Sequence, residues 1–238
     1  NAAAGKISGM LTIEEGGCCK GSLGVLRRMY ELGVRMMTLT WNHENELASP
    51  NVVPGGGIDS IWPCRPNTET GLKEKGFAFL AEMERLHLIV DVSHLSDQGF
   101  WDIAEHSTRP FAASHSNCRA LAPHCRNLTD EMIRVMGERG GLVGLNYCSG
   151  FLDDQPRPEL CRSTTALMAR HAAHFKQVGG IEIIGLGSDF DGIGGKLEMG
   201  DCSKLPLLAD ALRKEGFTED EVEAIFFRNA QRFFENNL

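Results

Sequence analysis

Apolar positions alternate between two patterns along the chain. Short runs in which most positions are apolar, Met10–Ile13, Val34–Thr40, Leu88–Val92, Phe111–Ser114, Gly141–Asn146 and Ile181–Gly187, predict six strands. Between them, amphipathic stretches predict helices over Ser22–Leu32, Gly71–Leu86, Ser96–His106, Thr129–Arg139 and Thr164–Val178. Two more helices are expected over Leu205–Glu215 and Thr218–Phe234. Acids follow Thr129 and Thr218 in the first helical turns, and Gly33, Gly140 and Gly216 stand where helices should end. Strands that read as apolar runs, each followed by a helix, mean an α/β fold with a parallel sheet under helices. Six strands leave both an open doubly wound sheet and a barrel open. Pro50–Pro66 and Asp153–Pro158 read as loops, and nothing resembles a repeat or linker, so residues 1–238 are expected to form one domain.

Composition narrows the classes. With 238 residues, 42% hydrophobic and 24% charged, the chain reads as an ordinary globular protein. No apolar run approaches the roughly 18 residues of a membrane helix. The net charge of −8 argues against nucleic acid and against anionic lipid as partners. The N-terminus lacks the basic and apolar regions of a signal peptide; it also lacks a starting Met, so a missing upstream part is expected. Eight scattered cysteines without a C-x-x-C pair read as reduced thiols in a cytoplasmic protein, not as a structural zinc knuckle.

The chemistry gathers at the strand ends. Glu14 and Glu15 close the first strand, His94 the third, His115 the fourth and Asp189 the sixth. In a parallel barrel these ends converge on one face, where active sites are built. Two imidazoles and two carboxylates there suit a divalent metal, zinc first. Gly185-Leu186-Gly187 is no dinucleotide fingerprint, because no G-x-G-x-x-G opens a helix. No G-x-S-x-G elbow is present either. His171 and His174 lie on one helix without a neighbouring Glu and read as packing residues, while His87 and His106 suit helix C-termini.

Several ordered segments carry a resemblance: Thr12-Ile13-Glu14-Glu15-Gly16-Gly17, Leu32–Thr40, Val90-Asp91-Val92-Ser93-His94-Leu95-Ser96-Asp97, Ser114-His115-Ser116-Asn117-Cys118-Arg119, His124-Cys125-Arg126-Asn127 and Gly185–Gly192. Together they resemble the renal, or membrane, dipeptidase family of two-zinc metallopeptidases with a (β/α)₈ barrel, from about Gly9 to the C-terminus. The resemblance implies that Glu14, favoured over Glu15, bridges the metals and that His94 and His115 complete one ligand set. It implies that Arg126 holds the substrate's terminal carboxylate and that Asp189 handles a proton. The reaction implied is hydrolysis of dipeptides by a metal-bound hydroxide.

Two departures qualify the resemblance. The family's first strand ends in His-x-Asp, which supplies ligands to the second metal, and no His-x-Asp occurs here. Six strands are also two short of a closed barrel, so an incomplete barrel of about six βα units is expected, holding one metal well and catalysing poorly alone. Trp41 stands where many relatives carry a His that polarises the scissile carbonyl; His43 is a candidate substitute, while the preferred reading of Trp41 is a pocket wall. The alternatives are another two-metal amidohydrolase-type enzyme, or an inactive fragment acting as an assembly partner. Exposed sheet edges favour a homodimer.

Overall fold

The computed structural model describes residues 5–52 and 64–238. Six strands form one sheet: β1 (Leu11–Glu14), β2 (Val34–Thr38), β3 (Ile89–Asp91), β4 (Ala112–Ala113), β5 (Leu142–Leu145) and β6 (Ile184–Leu186). All neighbouring pairs are parallel, and the spatial order is the chain order, β1 through β6. A doubly wound sheet would reverse direction partway through that order. One cavity is lined by Thr12 and Glu14 of β1 and by Leu186 and Asp189 of the β6 end. The first and last strands therefore face each other across the inside of a curved sheet. That is barrel geometry, with β1 and β6 unpaired to each other among the described residues.

The helices are α1 (Leu23–Glu31), α2 (Glu74–Leu86), α3 (Asp97–His106), α4 (Asp130–Glu138), α5 (Ser149–Leu152), α6 (Thr165–Gly179), α7 (Leu205–Glu215), α8 (Glu219–Glu223) and α9 (Asn229–Asn237). All but the short α5, which is absent from the predicted elements, fall close to their predicted places. Side chains of Ser22, Ser96, Thr129, Thr164 and Thr218 each accept a first-turn amide, and Thr218 with Glu221 forms a reciprocal capping box. Two expectations need correcting. Ile181–Ile183 is a 3₁₀ turn after Gly180 (φ 92°), so β6 begins three residues later than its apolar run suggests. The last long helix contains a π turn at Ala224–Arg228 between α8 and α9.

Alternation along the strands separates two faces. The outer face, with Met37, Val90, Ala113, Val143 and Leu145, joins the large core under the helices. The inner face starts apolar, with Ile89, Ala112 and Leu142 packed on Phe233 of α9. One step toward the strand ends it turns polar: Thr38 pairs in register with Asp91, and Ser114 follows β4. Packing is tightest at this end. A Cβ at Gly144 or at Gly187 would come within 1.9 or 2.0 Å of the Ser114 carbonyl oxygen, so only glycine lets β4, β5 and β6 converge there.

The expectation of reduced cysteines fails at two of the eight positions, while Cys18, Cys19, Cys118, Cys148, Cys161 and Cys202 are free thiols. Cys64 and Cys125, 61 residues apart, form a disulfide with their Cα atoms 5.6 Å apart. The loop expected over Pro50–Pro66 lies partly outside the described residues, at 53–63; the described end, at Cys64, is fastened to the turn preceding Arg126. With that bond present, cysteine chemistry no longer argues for a reducing compartment. No helix among the described residues is long and apolar enough to cross a membrane.

Candidate metal centre

Glu14, His94 and His115 meet at the C-terminal ends of β1, β3 and β4. Oε1 of Glu14 lies 3.1 Å from Nε2 of His94 and 3.3 Å from Nε2 of His115. The two Nε2 atoms are 2.9 Å apart. Glu15, the other candidate, turns away, and its Oε1 accepts from Asn45 Nδ2 at 3.0 Å. The backbone is bent to make this possible: Glu15 (φ 121°), His94 (φ 66°) and Asp189 (φ 60°) all take positive φ at strand ends. Non-glycine residues accept such angles at a cost of order 1–3 kcal/mol, and they concentrate at functional sites.

Each imidazole has a second contact on its other nitrogen. Asn42 Oδ1 lies 2.8 Å from Nδ1 of His94, and Ser114 Oγ lies 2.7 Å from Nδ1 of His115. When Nδ1 donates in both rings, both Nε2 lone pairs point into the same small space as the Glu14 carboxylate. Three electron-rich atoms so close repel one another unless a cation lies among them. The donor set, two imidazoles and one carboxylate, fits zinc or a similar divalent ion. Burial, aided by the charge of Arg126, pushes the His94 pKa well down, so the ring is kept neutral as a ligand must be.

Arg126 is 5% exposed and lies behind His115. Its Nη2 donates to the His115 carbonyl at 3.0 Å and its Nη1 to Ser116 Oγ at 3.4 Å, while the guanidinium sits 5.4 Å from the Phe151 ring centre. Nε has no hydrogen-bond partner, and no carboxylate pairs directly with this cation among the described residues. Burial lowers its pKa to about 10, which still leaves it charged at neutral pH. Asp189 lines the cavity of about 320 Å³ together with Glu14 and His115, and its Oδ2 accepts from Asn146 at 3.2 Å. His43 is exposed, edge-on to Trp41 at 5.6 Å, and Trp41 in turn lies 6.0 Å from the His94 ring. His43 is not one of the three clustered residues.

Asn42, Asp91 and Ser114 were not singled out by the sequence. A signal for Asp91 existed: an acid inside the run Leu88–Val92 must find partners if the strand is buried. His171 packs as expected, its Nε2 on the Leu152 carbonyl at 3.0 Å and its Nδ1 accepting from the Cys118 amide at 3.1 Å. A second group of three potential ligands, Cys64, His124 and Cys125, has both sulfurs tied in the disulfide.

Comparison with known proteins identifies the chain's family. A membrane dipeptidase model, peptidase family M19, matches residues 1–237. A Klebsiella pneumoniae protein described only as an uncharacterized protein in the pqqA 5′ region is 35% identical over 94% of this chain and 80% of its own length. A Schizosaccharomyces pombe protein named an uncharacterized dipeptidase is 34% identical over 96% of this chain, which spans 52% of that relative. Among solved structures, a Rhodobacter sphaeroides metallopeptidase liganded with a phosphinate mimic of L-Ala-D-Ala superposes with a TM-score of 0.88 at 31% identity, covering 99% of this chain and 65% of that one. The chain belongs to the membrane dipeptidase family, peptidase family M19.

Proposed function

We propose that this chain carries the metal-binding half of a dipeptidase centre, with zinc held by Glu14, His94 and His115, and that the activity served is hydrolysis of a dipeptide's peptide bond. The observation that carries the reading is the convergence of two Nε2 atoms and a carboxylate oxygen within 3.3 Å of one another while both Nδ1 atoms are engaged elsewhere. When bound there, a divalent ion lowers the pKa of a coordinated water and polarises a carbonyl. The rest of the chemistry falls to the chain's own groups. Arg126, buried with Nε unused, offers a charged donor to the substrate's terminal carboxylate. A charge at that depth favours substrates whose carboxylate lies next to the scissile bond, and so favours dipeptides over longer peptides. Asp189 would take a proton from water and return it to the leaving amine, a role supported by its position on the cavity wall with Glu14 and His115. Trp41, whose ring lies 6.0 Å from that of His94, would bound the substrate beside the metal, with His43 next to it.

Arg126→Ala tests the reading. KM for an alanyl dipeptide should rise about 30- to 1000-fold, the cost of about 2–4 kcal/mol for losing a charged partner, with a much smaller fall in kcat. A fall in kcat with KM unchanged would take Arg126 out of this role. Hydrolysis of cyclic amides in preference to dipeptides would favour the amidohydrolase alternative.

A further inference from the structure

Asp91 lies at the end of β3, 2% exposed, on the inner face one layer below the histidines. Its carboxylate is surrounded by donors. Oδ1 accepts the backbone amides of Ser93 and Ser114, at 3.0 and 2.8 Å. Oδ2 accepts the hydroxyls of Thr38, at 2.8 Å, and of Ser114 in a shorter bond. Ser114 Oγ also touches Nδ1 of His115 at 2.7 Å. A hydroxyl has one proton to give. Because Ser114 gives that proton to Asp91, the contact with His115 requires the ring to donate from Nδ1. We propose that Asp91 is a positioning residue which, through Ser114, fixes His115 as its Nδ1–H tautomer and so presents a bare Nε2 to the metal. This rests on the metal reading above, and it concerns a residue outside the three clustered ligands.

The direction of the relay makes an unusual forecast. In Asp91→Asn, the two backbone amides at Oδ1 keep the amide oxygen on their side. The new NH₂ group then faces the two hydroxyls and must donate to them. Ser114 Oγ becomes an acceptor from residue 91 and turns its own proton toward His115 Nδ1. The ring is driven to the Nε2–H tautomer, which blocks the ligand atom. Removing the hydroxyl as well should lift that block, so the second substitution repairs part of the first. A purely structural role for Asp91 predicts the opposite, a further loss. His94, held independently by Asn42, is the internal control.

The test uses the whole chain as wild type, Asp91→Asn, Ser114→Ala and the double variant, with two readouts. Nitrogen-15 NMR of histidine side chains in the metal-free protein reports each tautomer, and competition with a fluorescent chelator reports zinc affinity. Expected are an Nδ1–H His115 in the wild type, Nε2–H in Asp91→Asn, and mixed tautomers in Ser114→Ala, with His94 unchanged throughout. Zinc affinity should fall about 10- to 100-fold in Asp91→Asn, the range for losing an outer partner of a ligand. It should fall less in Ser114→Ala, and the double variant should recover to the Ser114→Ala level. An Nε2–H His115 in the wild type, or a double variant weaker than Asp91→Asn, overturns the proposal. If Asp91→Asn does not fold, the loss of Nδ1–H preference in Ser114→Ala decides the matter. If no variant nor the wild type binds zinc while the tautomer still switches, the relay stands and the metal reading alone falls.

Discussion

On the β3–β4 flank of the centre, His94 and His115 keep only 8% and 11% of their side chains exposed, and each ring is fixed at its second nitrogen. On the β1 flank, Glu14 leaves 48% of its side chain exposed, on a strand whose residues are exposed or half-buried throughout. The contrast follows from strand position. β3 and β4 have a neighbour on each side and helices outside them, whereas β1 pairs only with β2 among the described residues. One flank is therefore preorganised by the fold. The other offers a charge whose placement is settled only when something binds to it.

Substitutions on the two flanks should differ in size. Replacing His94 or His115 with Ala removes a preset ligand and should weaken zinc binding on the order of 10³-fold, a few of the 10–16 kcal/mol that structural zinc sites supply. The next effect concerns what supports the buried flank. Burial lowers the His171 pKa to about 4, and its two backbone contacts tie α6 to the segments after β4 and β5. A histidine with a depressed folded pKa stabilises the fold fully above its unfolded value near 6.5, and that share fades as pH falls from there to about 4. The loss should approach about 3 kcal/mol, and urea titrations across that window should show a flatter profile in His171→Gln. Smaller again, Glu14→Gln keeps an oxygen donor on the soft flank and should cost about 30-fold in zinc affinity, some 2 kcal/mol. If Glu14→Gln costs as much as His115→Ala, the flanks are not different in kind. Smallest of all, Asp189→Asn should change zinc affinity less than about threefold, because Asp189 is assigned to the proton rather than the metal, while kcat falls about 10²- to 10⁴-fold.

Most of the architecture was legible because buried parallel strands are nearly continuous apolar runs, a pattern that sequence displays directly. Histidines placed immediately after two such runs marked the site, since the register of a barrel brings successive strand ends together. The exceptions have separate physical causes. Ile181–Ile183 is as apolar as a strand, yet the turn at Gly180 coils it, and apolarity alone does not distinguish the two. The Cys64–Cys125 bond joins residues 61 apart, and only the folded loop brings them within reach. Asp91 was hidden because its partners, Thr38, Ser93 and Ser114, come from three separate stretches of chain.

The most direct test is metal content per chain in protein purified without chelator or added zinc, read by elemental analysis for wild type and His115→Ala side by side. One equivalent in the wild type, lost in the variant, is the result predicted for a single centre at Glu14, His94 and His115. A wild-type chain without metal, or a metal content unaffected by His115→Ala, would contradict it.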